Sequence, residues 1–187
     1  MKSIAVFASG SGTNFEAIVS AVENGAIKDA KVVLMVCDKK DAFVITRAKN
    51  HNVEEFVFNA KDYKSKEEFE TIIVNKLNEL KVDLVCLAGY MRYIGKVLLD
   101  NYEGRIINIH PALLPSFKGA HGIQDAFDYG VKVFGVTVHY VDSGVDSGKI
   151  IMQRGFEYYG DSVDEVEEKI HAIEHVLYVE ADRKSVV

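Results

Sequence analysis

Short β-rich apolar runs alternate with helical patterns along most of this chain, and that alternation admits few folds. Strand-like runs fall at residues 3–8, 31–37, 53–58, 84–88 and 105–109, with helical patterns at 14–23, 42–51, 66–80 and 95–102 between them. In the 66–80 stretch Phe69, Ile72, Ile73, Leu77 and Leu80 recur at a 3.6-residue period, which marks one face of a helix. Repeated βα units need right-handed crossovers, hence a parallel sheet with helices on both faces. Two more strands, at 133–141 and 149–156, are joined by the tight 142–148 loop and predict a mixed edge. A last helix starts near Ser162, which with Glu165 makes a capping box, and runs to about residue 182. The expected fold is α/β: a Rossmann-like, doubly wound, mostly parallel sheet with helices on both faces and a mixed C-terminal edge, in one domain over 1–187.

Composition removes several classes of function. A chain of 187 residues suits one domain with a substantial core, and 48% apolar with 27% charged residues excludes disordered and collagen-like structure. With a net charge of −6 and no run of Lys or Arg, nucleic acid is not an expected partner. No apolar stretch reaches the length of a membrane helix, and residues 4–8 are too few for the apolar part of a signal peptide. Cys37 and Cys86 sit inside strand-like runs with neither a disulfide framework nor a metal spacing, which suits a reducing compartment. The expectation is a cytoplasmic protein, monomer or homodimer.

In open α/β sheets, ligands bind beyond the carboxyl ends of the strands, so the loops there carry the chemistry. Gly10-Ser11-Gly12-Thr13-Asn14 follows the first strand and opens the first helix, the arrangement that cradles a phosphate on helix N-terminal amides. It starts like a dinucleotide fingerprint, but Phe15 stands where the third glycine would be; Asp38, after the second strand, could mimic a ribose-binding acid. The chain's two prolines, Pro111 and Pro115, both follow the fifth strand and stiffen the backbone there. Just before them, Asn108 and His110 share one face of that strand at i, i+2 spacing. An amide can donate to a carbonyl oxygen and an imidazole can move a proton near neutral pH. Spacing alone is equally compatible with a turn bearing a solvated His. Asp146, in the Gly144–Gly148 loop, is by itself a turn aspartate; it gains meaning if the loop folds over His110, because a carboxylate favours a charged imidazole. His121 and His139 are further candidates at the same rim. His171-Ala172-Ile173-Glu174-His175 matches H-x-x-E-H, but a third zinc ligand is wanting, and no metal is expected.

Taken together, Ser9-Gly10-Ser11-Gly12-Thr13-Asn14, Leu87-Ala88-Gly89-Tyr90-Met91-Arg92, Asn108 through Pro115, and Val138-His139-Tyr140-Val141 leading into Asp146 carry a resemblance. The chain resembles the glycinamide ribonucleotide transformylases, folate-dependent formyltransferases of purine biosynthesis, from Ser3 to about Tyr178. The resemblance implies formyl transfer from 10-formyltetrahydrofolate to glycinamide ribonucleotide, with Asn108, His110 and Asp146 as the catalytic trio. It implies that Gly12, Thr13 and Asn14 hold the substrate phosphate and Glu174 its ribose. It also implies that Met91, Arg92, Tyr93 and Ile94, with the 141–146 loop and Asn108, enclose the pterin, and that Lys66 meets the folate.

The chain departs from the family pattern in places. Lys66 replaces an Arg, so a bidentate contact becomes a point charge. Tyr93 replaces an aliphatic residue, Gly95 a Ser or Thr helix cap, and Val179 a proline. The chain ends at Ser185-Val186-Val187, short of the family's final strand. Three alternatives compete. A tRNA formyltransferase needs a further RNA-binding domain, and a formyltetrahydrofolate hydrolase needs an N-terminal domain for which a first strand at Ser3 leaves no room. The third is a non-catalytic nucleotide-binding module using the glycine loop and Asp38.

Overall fold

The computed structural model of the chain describes residues 1–185; Val186 and Val187, named above with the chain's end, lie outside the described residues. The elements run β1 (Lys2–Ala8), α1 (Thr13–Glu23), β2 (Ala30–Cys37), α2 (Val44–Asn50), β3 (Glu54–Val57), α3 (Lys66–Glu79), β4 (Leu84–Leu87), α4 (Lys96–Asn101), β5 (Ile106–His110), α5 (Gly122–Tyr129), β6 (Val133–Tyr140), β7 (Ile150–Glu157) and α6 (Val163–Ser185). They form a seven-stranded sheet ordered β3-β2-β1-β4-β5-β6-β7. Strands β1 to β5 pair in parallel, while β6 pairs antiparallel with both β5 and β7. The mixed edge therefore stands where the sequence put it.

Alternation along the buried strands sorts side chains to two faces. Ile4, Val6 and Ala8 face one core with Phe15 and Ile18 of α1 and Ile170, Leu177 and Tyr178 of α6. Ala5 and Phe7 face the other, with Phe69, Ile73 and Leu77 of α3 and Leu98 of α4. Each fully buried aliphatic or aromatic side chain contributes about 1.5–3 kcal/mol, so both helix layers are held mainly by these contacts.

Three expectations need correction. Ile72, counted in the α3 stripe, is 39% exposed, and Val74 is buried instead. Helix α5 was missed, although Ile123, Ala126 and Phe127 supply an i, i+3, i+4 stripe and Gly130, at φ 87°, ends the helix in the left-handed conformation. The capping box of α6 is interrupted by a tyrosine. Ser162 Oγ does accept from the Glu165 N–H, but the Glu165 carboxylate accepts from the Tyr158 hydroxyl, which itself accepts from the Ser162 N–H.

The missing Ser or Thr at Gly95 has a structural answer. The buried Glu70 carboxylate of α3 accepts from the Gly95 N–H at 2.6 Å and the Leu98 N–H at 3.1 Å, capping α4 from a neighbouring helix. A Cβ at position 95 would lie 2.7 Å from that carboxylate, so glycine leaves the room the cap needs.

Candidate active site

The chain leaves β1 towards β2 and β3 on one side and returns to β4 and β5 on the other, so the topological switch lies between β1 and β4. A cleft of about 720 Å³ opens there, lined by the loops after β1, β4 and β5, the 142–146 loop and α6.

On one wall, Gly12 sits at φ 75° and a Cβ there would lie 2.5 Å from Val44 Cγ2 of α2. Only glycine fits that turn. Helix α2 also supports the loop through polar contacts. The Val44 N–H donates to the Gly10 carbonyl, and Arg47 Nε donates to the Ser11 carbonyl at 2.8 Å while its guanidinium pairs with Glu16. The N–H groups of the first turn of α1 have no acceptor within the helix, and Thr13 and Asn14 line the cleft. Asn14, 160 residues before Glu174 in sequence, places Nδ2 at 3.4 Å from that carboxylate, and its buried Oδ1 has no partner among the described residues. His171 Nδ1 lies 3.0 Å from the same carboxylate and lines the cleft. Its hydrogen bond to Glu174 raises the His171 pKa to about 9 against the opposing effect of burial, with Glu167 adding to the rise. His171 is therefore cationic at neutral pH. The H-x-x-E-H pattern resolves into this ion pair, while His175 does not line the cleft; burial pushes its pKa down.

The opposite wall is the β4 loop, Met91 to Ile94. Ser9 ties the walls together: its hydroxyl donates to Asp38 at 2.5 Å and accepts from the Met91 N–H at 2.9 Å. The second Asp38 oxygen accepts from Arg92 Nε at 2.8 Å. Asp38 is thus an internal anchor for the β4 loop, which overturns its reading as a ribose-binding acid. Arg92 lines the cleft with its Nε committed to that anchor. Met91 and Tyr93 are exposed at the mouth. Lys66 does not line the main cleft; with Lys64 it lines an adjoining cavity of about 500 Å³ that shares Met91, Arg92 and Tyr93.

Between the walls stand Asn108, His110 and Asp146. Asn108 and His110 project from the end of β5, opposite His139 and Thr137 of β6. Thr137 and Gln153 tie down the proline-bearing loop: Thr137 Oγ1 donates to the Ala112 carbonyl and accepts from the Leu114 N–H, and Gln153 Nε2 donates to the Leu114 carbonyl. His110 Nε2–H donates to the Phe117 carbonyl at 2.7 Å, and Nδ1 lies 3.5 Å from Asp146 Oδ2. Asp146 Oδ2 accepts from the Gly119 N–H at 2.8 Å, and Oδ1 lies 3.6 Å from His139 Nε2. His139 Nδ1–H donates to the Tyr140 carbonyl, and its Nε2 lies between Asp146 and Asn108, 3.4 Å from Asn108 Nδ2. Burial pushes the Asp146 carboxyl up, but His139, the Gly119 N–H and His110 outweigh it and hold it below the usual carboxylate range. His121 does not line the cleft.

The sequence reading missed Arg47, Phe117, Gly119 and Tyr178. Tyr178 OH donates to the Leu87 carbonyl at 2.6 Å and lies 3.2 Å from that of Ile107, bracing β4 and β5 together. A buried tyrosine facing carbonyls left a visible signal only as one polar atom in an apolar stripe.

A doubly wound sheet whose switch-point cleft joins a glycine loop to an Asn–His–Asp cluster defines an α/β group-transfer enzyme. The chain belongs to the formyl transferase family, whose domain matches residues 2–181. It is 49% identical over 179 residues to a phosphoribosylglycinamide formyltransferase of Bacillus subtilis, covering 95% of this chain and 91% of that protein. Its structure is similar to that of glycinamide ribonucleotide transformylase 1 from Geobacillus kaustophilus, with a TM-score of 0.96, 51% identity and 98% of each chain covered. A phosphoribosylglycinamide formyltransferase from Streptococcus pneumoniae aligns over 100% of both chains at a TM-score of 0.93 and 46% identity.

Proposed function

We propose that this chain transfers the formyl group of 10-formyltetrahydrofolate to the amine of glycinamide ribonucleotide, giving formylglycinamide ribonucleotide and tetrahydrofolate, a step of purine biosynthesis. The observation that carries it is the convergence, in one cleft, of an anion-binding loop, a second wall suited to a flat ring and an Asn–His–Asp cluster between them. The relatives named for this reaction match nearly the whole chain.

In this reading, the N–H groups after Gly12, at Thr13 and Asn14, hold the substrate phosphate, aided by the positive end of α1. Glu174 accepts from the ribose hydroxyls, and Asn14, whose side chain meets Glu174, lines the cleft beside it. Met91, Arg92, Tyr93 and Ile94, with the 141–146 loop, enclose the pterin, and Lys66 in the adjoining cavity attracts the anionic end of the folate. The amine adds to the formyl carbon, and negative charge grows on the formyl oxygen. The Asn108 amide and the His110 imidazolium stabilise that charge. His110 then passes a proton to the folate nitrogen as its bond to the formyl carbon breaks, and the proton that the attacking amine must lose returns the ring to its starting state. Its Nδ1 lies 3.5 Å from Asp146, too far for a good hydrogen bond, so the proton is not locked to the carboxylate. No covalent enzyme intermediate is needed. Cytoplasmic residence follows from the same reading.

A formyl-transfer assay with both substrates tests this, following tetrahydrofolate release with and without EDTA. Turnover undiminished by the chelator is expected. Activity lost on chelation and restored by zinc would overturn the metal-free mechanism, and release of formate without transfer would favour a hydrolase.

A further inference from the structure

Asp146 of the His–Asp pair, at φ 47°, and Phe117, whose carbonyl meets His110, at φ 53°, both stand in the left-handed region. An Asp tolerates that conformation, but a bulky aromatic there is unusual and must be held by its surroundings. The Phe117 ring is held: it packs against the edge of the main core and meets the Tyr129 ring edge-on at 5.8 Å between centroids. In that backbone conformation the Phe117 carbonyl meets His110 Nε2 at 2.7 Å, and two residues later the Gly119 N–H, at φ 94°, reaches Asp146 Oδ2 at 2.8 Å. Helix α5 begins with Gly122, where a Cβ would lie 3.1 Å from both His110 Nε2 and the Phe117 carbonyl.

We infer that Phe117 is a positioning residue: its left-handed backbone sets the tautomer of His110 by placing a carbonyl acceptor at Nε2, which directs Nδ1 to Asp146 and the cleft. A carbonyl only accepts, so Nε2 must carry a proton in either charge state of the ring. Nδ1 is then the one nitrogen that gains and loses its proton, and it is the one beside Asp146. Without that carbonyl the neutral ring is free to take the other tautomer, with its proton on Nδ1 and its lone pair turned into the 117–122 turn. The inference rests on His110 being the proton carrier proposed above. The side-chain identity of Phe117 matters less than its backbone conformation.

A substitution series separates backbone from ring. Phe117→Asn and Phe117→Gly keep access to the left-handed region, whereas Phe117→Val strongly disfavours it. Long-range ¹H–¹⁵N correlation spectra of histidine-labelled protein at alkaline pH, with His110→Gln assigning the signal, read the tautomer directly. Wild type and the Asn and Gly variants should show the Nε2–H form, and the Val variant a mixture. In the Val variant kcat should fall about 100-fold, on the scale of a misplaced general acid, with both KM values within about threefold. The Asn variant should stay within about tenfold of wild type in kcat. Unchanged tautomer and kcat in Val would overturn the inference, as would an equal loss in Asn, Gly and Val. If the Val variant does not fold, the Asn variant decides: loss of the Nε2–H form or of kcat there overturns it. His110→Ala distinguishes the underlying reading, since full activity in that variant would remove His110 from catalysis whatever its tautomer.

Discussion

Asp146 Oδ2 lies 3.5 Å from His110 Nδ1, while the same oxygen takes the Gly119 N–H at 2.8 Å, so one carboxylate oxygen serves both the imidazole and the loop that holds it. Asp146→Asn keeps the shape and removes the charge. Activity should drop by roughly 10²–10⁴-fold, as it should for His110→Ala. The double variant should be little worse than either single one, because residues acting as a unit are not additive. Steady-state kinetics on all three check this, and fully multiplicative losses would mean that Asp146 acts independently of His110.

The lowered pKa of Asp146 has a signed consequence. Its carboxylate contributes stability above the usual value of 3.8, and that contribution is lost as pH falls from there through its lower folded-state pKa. Acid titration of stability should therefore be shallower in Asp146→Asn than in wild type below about pH 4. Equal slopes from urea unfolding at several acid pH values would refute the assignment.

His171 titrates in the opposite sense. Its pKa is raised from 6.5 to about 9 by Glu174, so the ion pair contributes fully below 6.5 and is lost as pH rises through 9. An NMR titration should place the His171 midpoint near that value, and Glu174→Gln should move it back towards 6.5. The same substitution should raise the KM for the ribonucleotide more than that for the folate. A midpoint that stays put would show that Glu174 is not the cause.

At Gly12, any Cβ meets Val44 at 2.5 Å in a backbone conformation that disfavours side chains. Gly12→Val should cost about 2–4 kcal/mol of stability, from strain and overpacking together, and raise the KM for the ribonucleotide well above tenfold. A defect chiefly on the folate side would reassign the loop.

Glu70→Ala should strip the α4 cap and leave the Gly95 and Leu98 N–H groups without their carboxylate. A loss of about 2–3 kcal/mol follows from two unmet donors, equivalent to roughly 5–10 °C in Tm for a chain of this size. Calorimetry reads it directly.

The glycine loop, the Asn108–His110 spacing and the proline pair could be read from the sequence because each is a local device whose geometry is set within a few residues. The stripe in α3 was legible for the same reason, and Ile72 slipped out of it because periodicity defines a face without fixing where burial stops. Helix α5 was overlooked because its stripe is short and follows a glycine. Asp38 looked like a ribose acid at the right distance along the chain, yet its two oxygens are taken by Ser9 and Arg92.

By itself, then, the sequence determined the βα order, the mixed edge and the residue types at each strand end, since hydrophobic period and turn chemistry are properties of neighbouring residues. Tertiary structure alone decided which of them meet. Glu174 reaches Asn14 across 160 residues, Glu70 replaces a cap that α4 lacks, and Phe117 turns a carbonyl onto His110. Such contacts carry no period and no fixed spacing. They exist because packing two helix layers onto one twisted sheet brings the loops at its carboxyl edge within hydrogen-bonding reach.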